Sequence, residues 1–338
     1  MASGEVEAQK RDLNILLNLL DGRLKISYPL FRAFDMIEAG QKAGGYALKI
    51  LADDADFQDR AGTADCREEL PSHADLVDCL LTSGVISYEN SEEVGRRIGH
   101  RRSNYSGKVL FSPDTNVLYH NYLSSSGLLV PDDVAIVDTV KDEIEASMNH
   151  KYSGSEIREI RDSVECNREL VGQLSNRRKK KSRKAAYLAK REYKEFLGRT
   201  IPSVEDGSHD SEQNDRVIAR SLRDYGRESG VQTVLLTADT QMADICEMEG
   251  VERLYLKYPV SYEVDACPHA NLVKLVFDLS VTFGLVKLNS VIILGEFGGK
   301  GPDEPDALKL KFLDGGLGNA FCKHQKICRG LSALEIEG

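Results

Sequence analysis

From residue 108 to about 258, short apolar runs alternate with helix-compatible segments, and nothing else in the chain constrains its fold as strongly. Residues 108–111, 134–137, 231–236 and 254–256 read as buried strands. Between them, residues 215–228 place Val217, Ile218, Leu222 and Tyr225 on one helical face, and residues 241–249 read as a further helix. Alternation of this kind implies a parallel sheet with helices on both faces, a doubly wound α/β domain. Two of the strands run straight into an acid, Asp114 and Asp239. In open parallel sheets, functional groups gather outside the carboxyl ends of the strands.

At 338 residues the chain is long for one domain, and three regions are expected. Residues 1–105 read as a helical accessory or homodimerisation region. Helices are expected over 6–20, over 27–51 with a break at Gly44-Gly45, and over 72–81 with Ser72 as N-cap and Gly84 past the end. Residues 106–260 form the α/β domain, interrupted by a helical insertion at 155–200. Residues 261–338 read as a small α+β unit. There, residues 272–283 satisfy both the helical and the alternating period, residues 290–297 and 307–313 look like strands around a 298–306 loop, and residues 319–331 look like a closing helix.

The formal net charge of −10 argues against a polyanionic partner, but its distribution reverses that impression. Residues 176–200 hold eleven Lys/Arg against Glu192 and Glu195. Within the insertion, Ile157, Ile160, Val164, Val171 and Leu174 mark a helix over 155–174. The run Arg177, Arg178, Lys179, Lys180, Lys181, Arg183 and Lys184 follows, then a second helix over 185–197. A basic helical hairpin on an acidic body predicts contact with nucleic acid. No apolar run reaches the length of a membrane span, the amino terminus lacks the pattern of a signal peptide, and seven cysteines without a CxxC pair read as reduced thiols. A cytoplasmic protein without a membrane partner is expected.

Four acids carry the chemistry: Asp114, Glu143, Asp215 and Asp239. Several carboxylates at one end of a sheet suit a hard divalent cation held by oxygen ligands. Each alone also has an ordinary role, as helix cap, solvated face or turn residue. Their order resembles that of the PIN domain nucleases, especially larger archaeal PIN proteins. The matching pieces are Ser112-Pro-Asp114-Thr-Asn116, Val140-Lys-Asp-Glu143-Ile144, Asn214-Asp215-Arg-Val-Ile-Ala219 and Leu236-Thr237-Ala-Asp239. The resemblance implies a magnesium- or manganese-dependent endonuclease acting on single-stranded or structured RNA. It makes Asp114, Glu143, Asp215 and Asp239 the catalytic metal ligands, with Asp244 a further ligand and Asn116 and Thr237 behind them. Glu143 is preferred to Glu145, which a helix turns to a different side. The insertion between the second and third acids departs from the family pattern.

Other constellations are weaker. Cys267, His269, Cys322, His324 and Cys328 lack the spacing of a zinc knuckle and read as free thiols and histidines. The glycine-rich segment after Gly295 lacks the spacing and following helix of a phosphate-binding loop. The expectation is a metal-dependent ribonuclease. Its rival is an RNA-binding or ribonucleoprotein assembly module that keeps the fold without turnover.

Overall fold

The structure, a computed structural model, describes residues 4–20, 22–62, 66–205, 210–262, 264–296 and 306–334. The chain divides into two compact units, each built from separated segments. Met1–Val85, His150–Arg183 and Tyr262–Gly338 make one; Ile86–Asn149 and Lys184–Ser261 make the other. Among the described residues no helix is long and apolar enough to cross a membrane.

The first unit contains an eight-stranded antiparallel sheet. Its order is Glu5–Gln9, Ala307–Phe312, Val291–Leu294, Leu285–Leu288, Arg23–Ser27, Asp35–Lys42, Gly45–Ile50 and Val264–Cys267. This corrects the helical reading of residues 1–105. Residues 6–20 are a strand, a short 3-10 turn and the helix Leu13–Leu19, and most of 27–51 is a hairpin. Tyr46 and Leu48 alternate inward along one hairpin strand, and Met36, Ile37 and Ala39 are buried on the other. Two short alternating strands laid end to end mimic a helical spacing. Gly44-Gly45 is the hairpin turn rather than a helix break: Gly44 has φ +84° and Lys42 pairs with Gly45. A Cβ at Gly45 would meet the carbonyl oxygen of Cys267 at 2.2 Å, so the neighbouring strand requires glycine there.

The carboxyl-terminal residues share this sheet instead of forming a separate α+β unit. Residues 272–283 belong to the helix His269–Phe283. It is buried from Leu272 to Phe283 apart from Lys274, and a helix apolar on every side carries no distinguishing period. The helix His73–Thr82 starts where Ser72 accepts a hydrogen bond from the Asp75 amide, and Gly84 follows its end at φ +69°. Most of the glycine-rich loop lies outside the described residues.

The second unit is built on parallel strands. Val109–Pro113, Gln232–Thr237 and Glu252–Tyr255 form one sheet, and Ala135–Val137 pairs with Arg199–Ile201. A parallel bridge between Phe111 and Val134 joins the two. Across the unit the spatial order is therefore Arg199–Ile201, Ala135–Val137, Val109–Pro113, Gln232–Thr237 and Glu252–Tyr255. Chain progression reverses between Val109–Pro113 and Gln232–Thr237. At such a switch point the connections leave in opposite directions and open a crevice beyond the strand ends. The Arg199–Ile201 strand lies in a stretch whose sequence gives no strand signal, being three residues long and largely exposed.

The insertion is not a projecting helical hairpin. Gly154–Ser163 is a helix capped by Ser153, but it stops at Val164, and Asn167 at φ +49° starts a 3-10 segment, Arg168–Leu174. Lys180–Lys184, a π-helical turn Ala185–Ala189 and Lys190–Phe196 follow as one continuous helical stretch. Residues up to Arg183 belong to the first unit, and those from Lys184 to the second.

Candidate functional site

Asp114 and Asp239 flank the switch point. The Asp114 amide donates to the Leu236 carbonyl at 2.9 Å, continuing the strand pairing one residue further. Its Oδ1 accepts from the Val117 amide at 2.7 Å and caps the helix Thr115–Tyr119. Its Oδ2 accepts from the Thr237 hydroxyl. The same Thr237 Oγ1 accepts from the Asp239 amide at 2.9 Å, while Asp239 caps the helix Thr240–Glu249 through the Gln241 amide at 2.7 Å. One fully buried threonine thus fixes two acids at the ends of different strands.

Glu143 reaches the same place from the helix Asp138–Ser147. Its Oε2 accepts from the Thr115 hydroxyl, and its Oε1 accepts from Asn214 Nδ2 at 2.9 Å. Asn214 is buried in the helix Ser211–Ser229, immediately before Asp215. Bonds along the backbone and hydrogen bonds therefore link all four acids in one series: Asp239, Thr237, Asp114, Thr115, Glu143, Asn214, Asp215. Glu145 is exposed and takes no part.

The electrostatics carry the mark of this gathering. Asp215 is pushed up to about 7, first by burial and then by the charges of Asp239, Glu143 and Asp114. Asp114, only 5% exposed, is raised to about 6. Burial is the main cause; hydrogen bonds from Thr237 and Val117 and the nearby His120 oppose it, and Asp239 adds to it. Like charges brought together out of water hold protons unless a cation neutralises them.

The donor set fits a hard cation in atom type and in charge, since every group offered is an oxygen. As the side chains stand, no group of three or more His, Cys, Asp or Glu among the described residues is arranged to hold a metal ion. Asp114 and Glu143 spend their oxygens on Thr237, Val117, Thr115 and Asn214. Binding an ion requires them to share or exchange those donors.

Asp244 and Asn116 are both exposed, and among the described residues no hydrogen bond joins either side chain to the four acids. Thr115, Asn214 and His120 are the residues that sequence reasoning passed over. Thr115 and Asn214 each adjoin an acid in sequence, which is the signal that could have found them.

The basic run reads differently once folded. Arg183 is 1% exposed: its Nε donates to the Val281 carbonyl at 2.8 Å, Nη2 to the Thr282 carbonyl at 3.1 Å and Nη1 to the Arg178 carbonyl at 2.5 Å. Lys180 pairs with Asp75 at 2.7 Å, Lys179 with Glu156 at 2.5 Å and Arg178 with Glu296 at 2.7 Å, while Arg177 donates to the Glu296 carbonyl. Lys181 is exposed and Lys184 half-buried. The expectation of a free basic tip is thereby corrected: five of its seven cations are occupied in tying together the first unit. Asp75 and Glu296 lie more than a hundred residues away in sequence, so the run looks unbalanced only when read alone.

The raised acids imply a pH dependence. A folded-state pKa above the unfolded value near 3.8 contributes stability in full below about pH 4, and loses it as pH rises through about 7. Replacing Asp215 by Asn removes that loss. In chelator, Asp215→Asn should melt with wild type below about pH 4 and about 3 °C or more above it at pH 8. An equal difference at both pH values would show that the Asp215 carboxyl is not raised.

No protein-family model matches this chain, and a search of curated proteins returns no significant match.

Proposed function

We propose that the second unit is a magnesium- or manganese-dependent ribonuclease of PIN type, with Asp114, Glu143, Asp215 and Asp239 as its ion-holding groups. The observation that carries the reading is the bonded series linking these four acids at the switch point of a parallel sheet. A binding module has no use for four carboxylates kept near one another against their repulsion. When bound, a divalent ion supplies an acidified water and neutralises charge on the phosphate being attacked.

The chain's own residues do the positioning. Thr237 holds Asp114 and the Asp239 backbone in one register, so two ligands from separate strands move together. Asn214 and Thr115 hold both oxygens of Glu143, orienting the carboxylate. Groups behind the ligands of this kind typically alter metal affinity or activity about 10–100-fold when removed. Without an ion, burial and the neighbouring acids raise Asp215 to about 7.

The test is cleavage of a mixed-sequence single-stranded RNA in Mn²⁺, Mg²⁺ and EDTA. Cleavage is expected with either metal and not in EDTA, and Glu143→Gln should lower it more than about tenfold. Activity that survives chelation would sink the proposal. Binding without turnover in every metal would favour the assembly-module reading.

A further inference from the structure

The helix Ser91–Asn104 begins at the end of the sheet where the acids lie. Asn90 Nδ2 donates to the Tyr255 carbonyl at 2.8 Å, and its Oδ1 accepts from the Lys257 amide at 2.9 Å, just beyond the strand Glu252–Tyr255. Near the other terminus, Arg101 pairs with Glu252 at the start of that strand, and Arg102 pairs with Asp133 at 3.2 Å, before Ala135–Val137. The helix therefore runs from the acid end of the sheet to the opposite end. Val94 and Ile98 are buried and fix its inner face.

Its outer face carries Glu92 and Glu93 in the first turn and cations in the turns that follow. Arg96, Arg97 and His100 are exposed and, with Glu93 and Arg101, line an open depression of about 530 Å³. Among the described residues, ion pairs engage Arg101 and Arg102 but not Arg96 or Arg97. Residues three and four apart on a helix are neighbours, about 5–6 Å between Cβ atoms, so Arg96, Arg97 and His100 make one continuous stripe.

An aromatic group lies at the acid end of the sheet, just beyond the strand Glu252–Tyr255 and just before Asn90. His120 closes the helix that Asp114 caps, its amide donating to the Asn116 carbonyl at 3.0 Å. Its ring lies between two tyrosines, with Tyr88 Oη at 2.5 Å from Nδ1 and Tyr258 Oη at 3.1 Å from Nε2. Tyr88 and His120 are buried, while Tyr258 is 42% exposed. The Tyr258 ring meets Tyr88 and His120 edge-on, at centroid distances of 5.7 and 5.5 Å. Two aromatic neighbours and the hydroxyl contact to His120 hold this ring in place while part of it stays exposed, and a base can stack on a ring so placed.

We infer that Tyr258 and the Arg96–Arg97–His100 stripe form the track for a single-stranded RNA that enters the carboxylate site, one base stacking on Tyr258 and the neighbouring phosphates meeting the two arginines. This rests on the nuclease reading above. The division of labour follows from the chemistry: arginines neutralise phosphates whatever the sequence, and an aromatic face accepts any unpaired base. The acids alone would repel such a strand, so an approach lined with positive charge has a physical purpose.

Binding of a fluorescent single-stranded RNA, measured by anisotropy in EDTA between 50 and 200 mM salt, tests the track. Arg96→Ala with Arg97→Ala should flatten the dependence of log affinity on log salt by about 1.4, at ~0.7 per lost contact. Tyr258→Ala should weaken binding about tenfold with an unchanged slope, and Tyr258→Phe should bind like wild type because the stacking face remains. Far-ultraviolet circular dichroism and melting establish that each variant is folded. Unchanged affinity and slope in both the arginine and the Tyr258→Ala variants overturn the track. If wild type cleaves RNA in Mn²⁺ while those variants bind normally, the track fails and the nuclease reading stands. If the variants lose binding as described and wild type never cleaves, the track stands and the nuclease reading fails.

Discussion

Asp114→Asn is expected to lower Mn²⁺-dependent RNA cleavage by more than about 100-fold while leaving the protein folded and, in chelator at pH 8, at least as heat-stable as wild type. Two roles meet in this side chain, and two substitutions separate them. As an N-cap, Asp114 satisfies the Val117 amide, which an asparagine oxygen can also do. As a buried charge beside Asp239 it is a source of repulsion, and asparagine removes that. Asp114→Ala loses the cap as well, at about 1 kcal/mol. Activity should therefore collapse in both variants, with the alanine one melting below the asparagine one. A structural role alone would make activity track stability, with the asparagine variant active and the alanine variant less so. Asparagine at wild-type activity would remove Asp114 from the chemistry altogether.

Arg183 is expected to behave oppositely: its loss should cost stability and leave RNA affinity alone. The guanidinium donates to the Val281 and Thr282 carbonyls in the last turn of His269–Phe283, where helix carbonyls lack partners of their own. A cation there also meets the negative end of the helix. Arg183 further donates to Tyr152 Oη at 3.3 Å, whose hydroxyl donates on to Glu69 at 2.7 Å. Arg183→Ala strands several buried acceptors and opens a cavity, so a loss of about 3 kcal/mol or more is expected, measured as the shift in urea midpoint. Arg183→Met keeps much of the volume and should lose less. At low temperature, where Arg183→Met is folded, RNA affinity should match wild type. A folded Arg183→Met that loses RNA binding would restore the basic run as an interface.

What the sequence made legible, and what it hid, has a common cause. The strands at 109–113 and 232–237 hold buried apolar runs with an acid within two residues of their ends, and each announces itself locally. Glu143 and Asp215 could be placed because the helices carrying them are amphipathic and their neighbours, Ile144 and Val217, are core residues. The large antiparallel sheet was not legible, because its partners are remote: Lys25 stands opposite Glu38, but Lys287 stands opposite Ser27 and Glu5 opposite Lys311. The basic run failed for the same reason. Glu69, Asp75 and Glu296 neutralise it from positions more than a hundred residues away. Local patterns report elements; they do not report which charges meet.

The interleaving of the two units has a consequence for how the molecule is made on the ribosome. The strand Glu5–Gln9 emerges first, yet its partner Ala307–Phe312 is synthesised about 300 residues later, which at roughly 5–20 residues per second is a wait of about 15–60 s. Until residue 264 is made, four of the eight strands of that sheet do not exist. Every segment of the parallel unit has been made by residue 261. A nascent chain from which residue 261 has just left the ribosome is expected to hold its four carboxylates already gathered, while its amino-terminal strands stand with open edges.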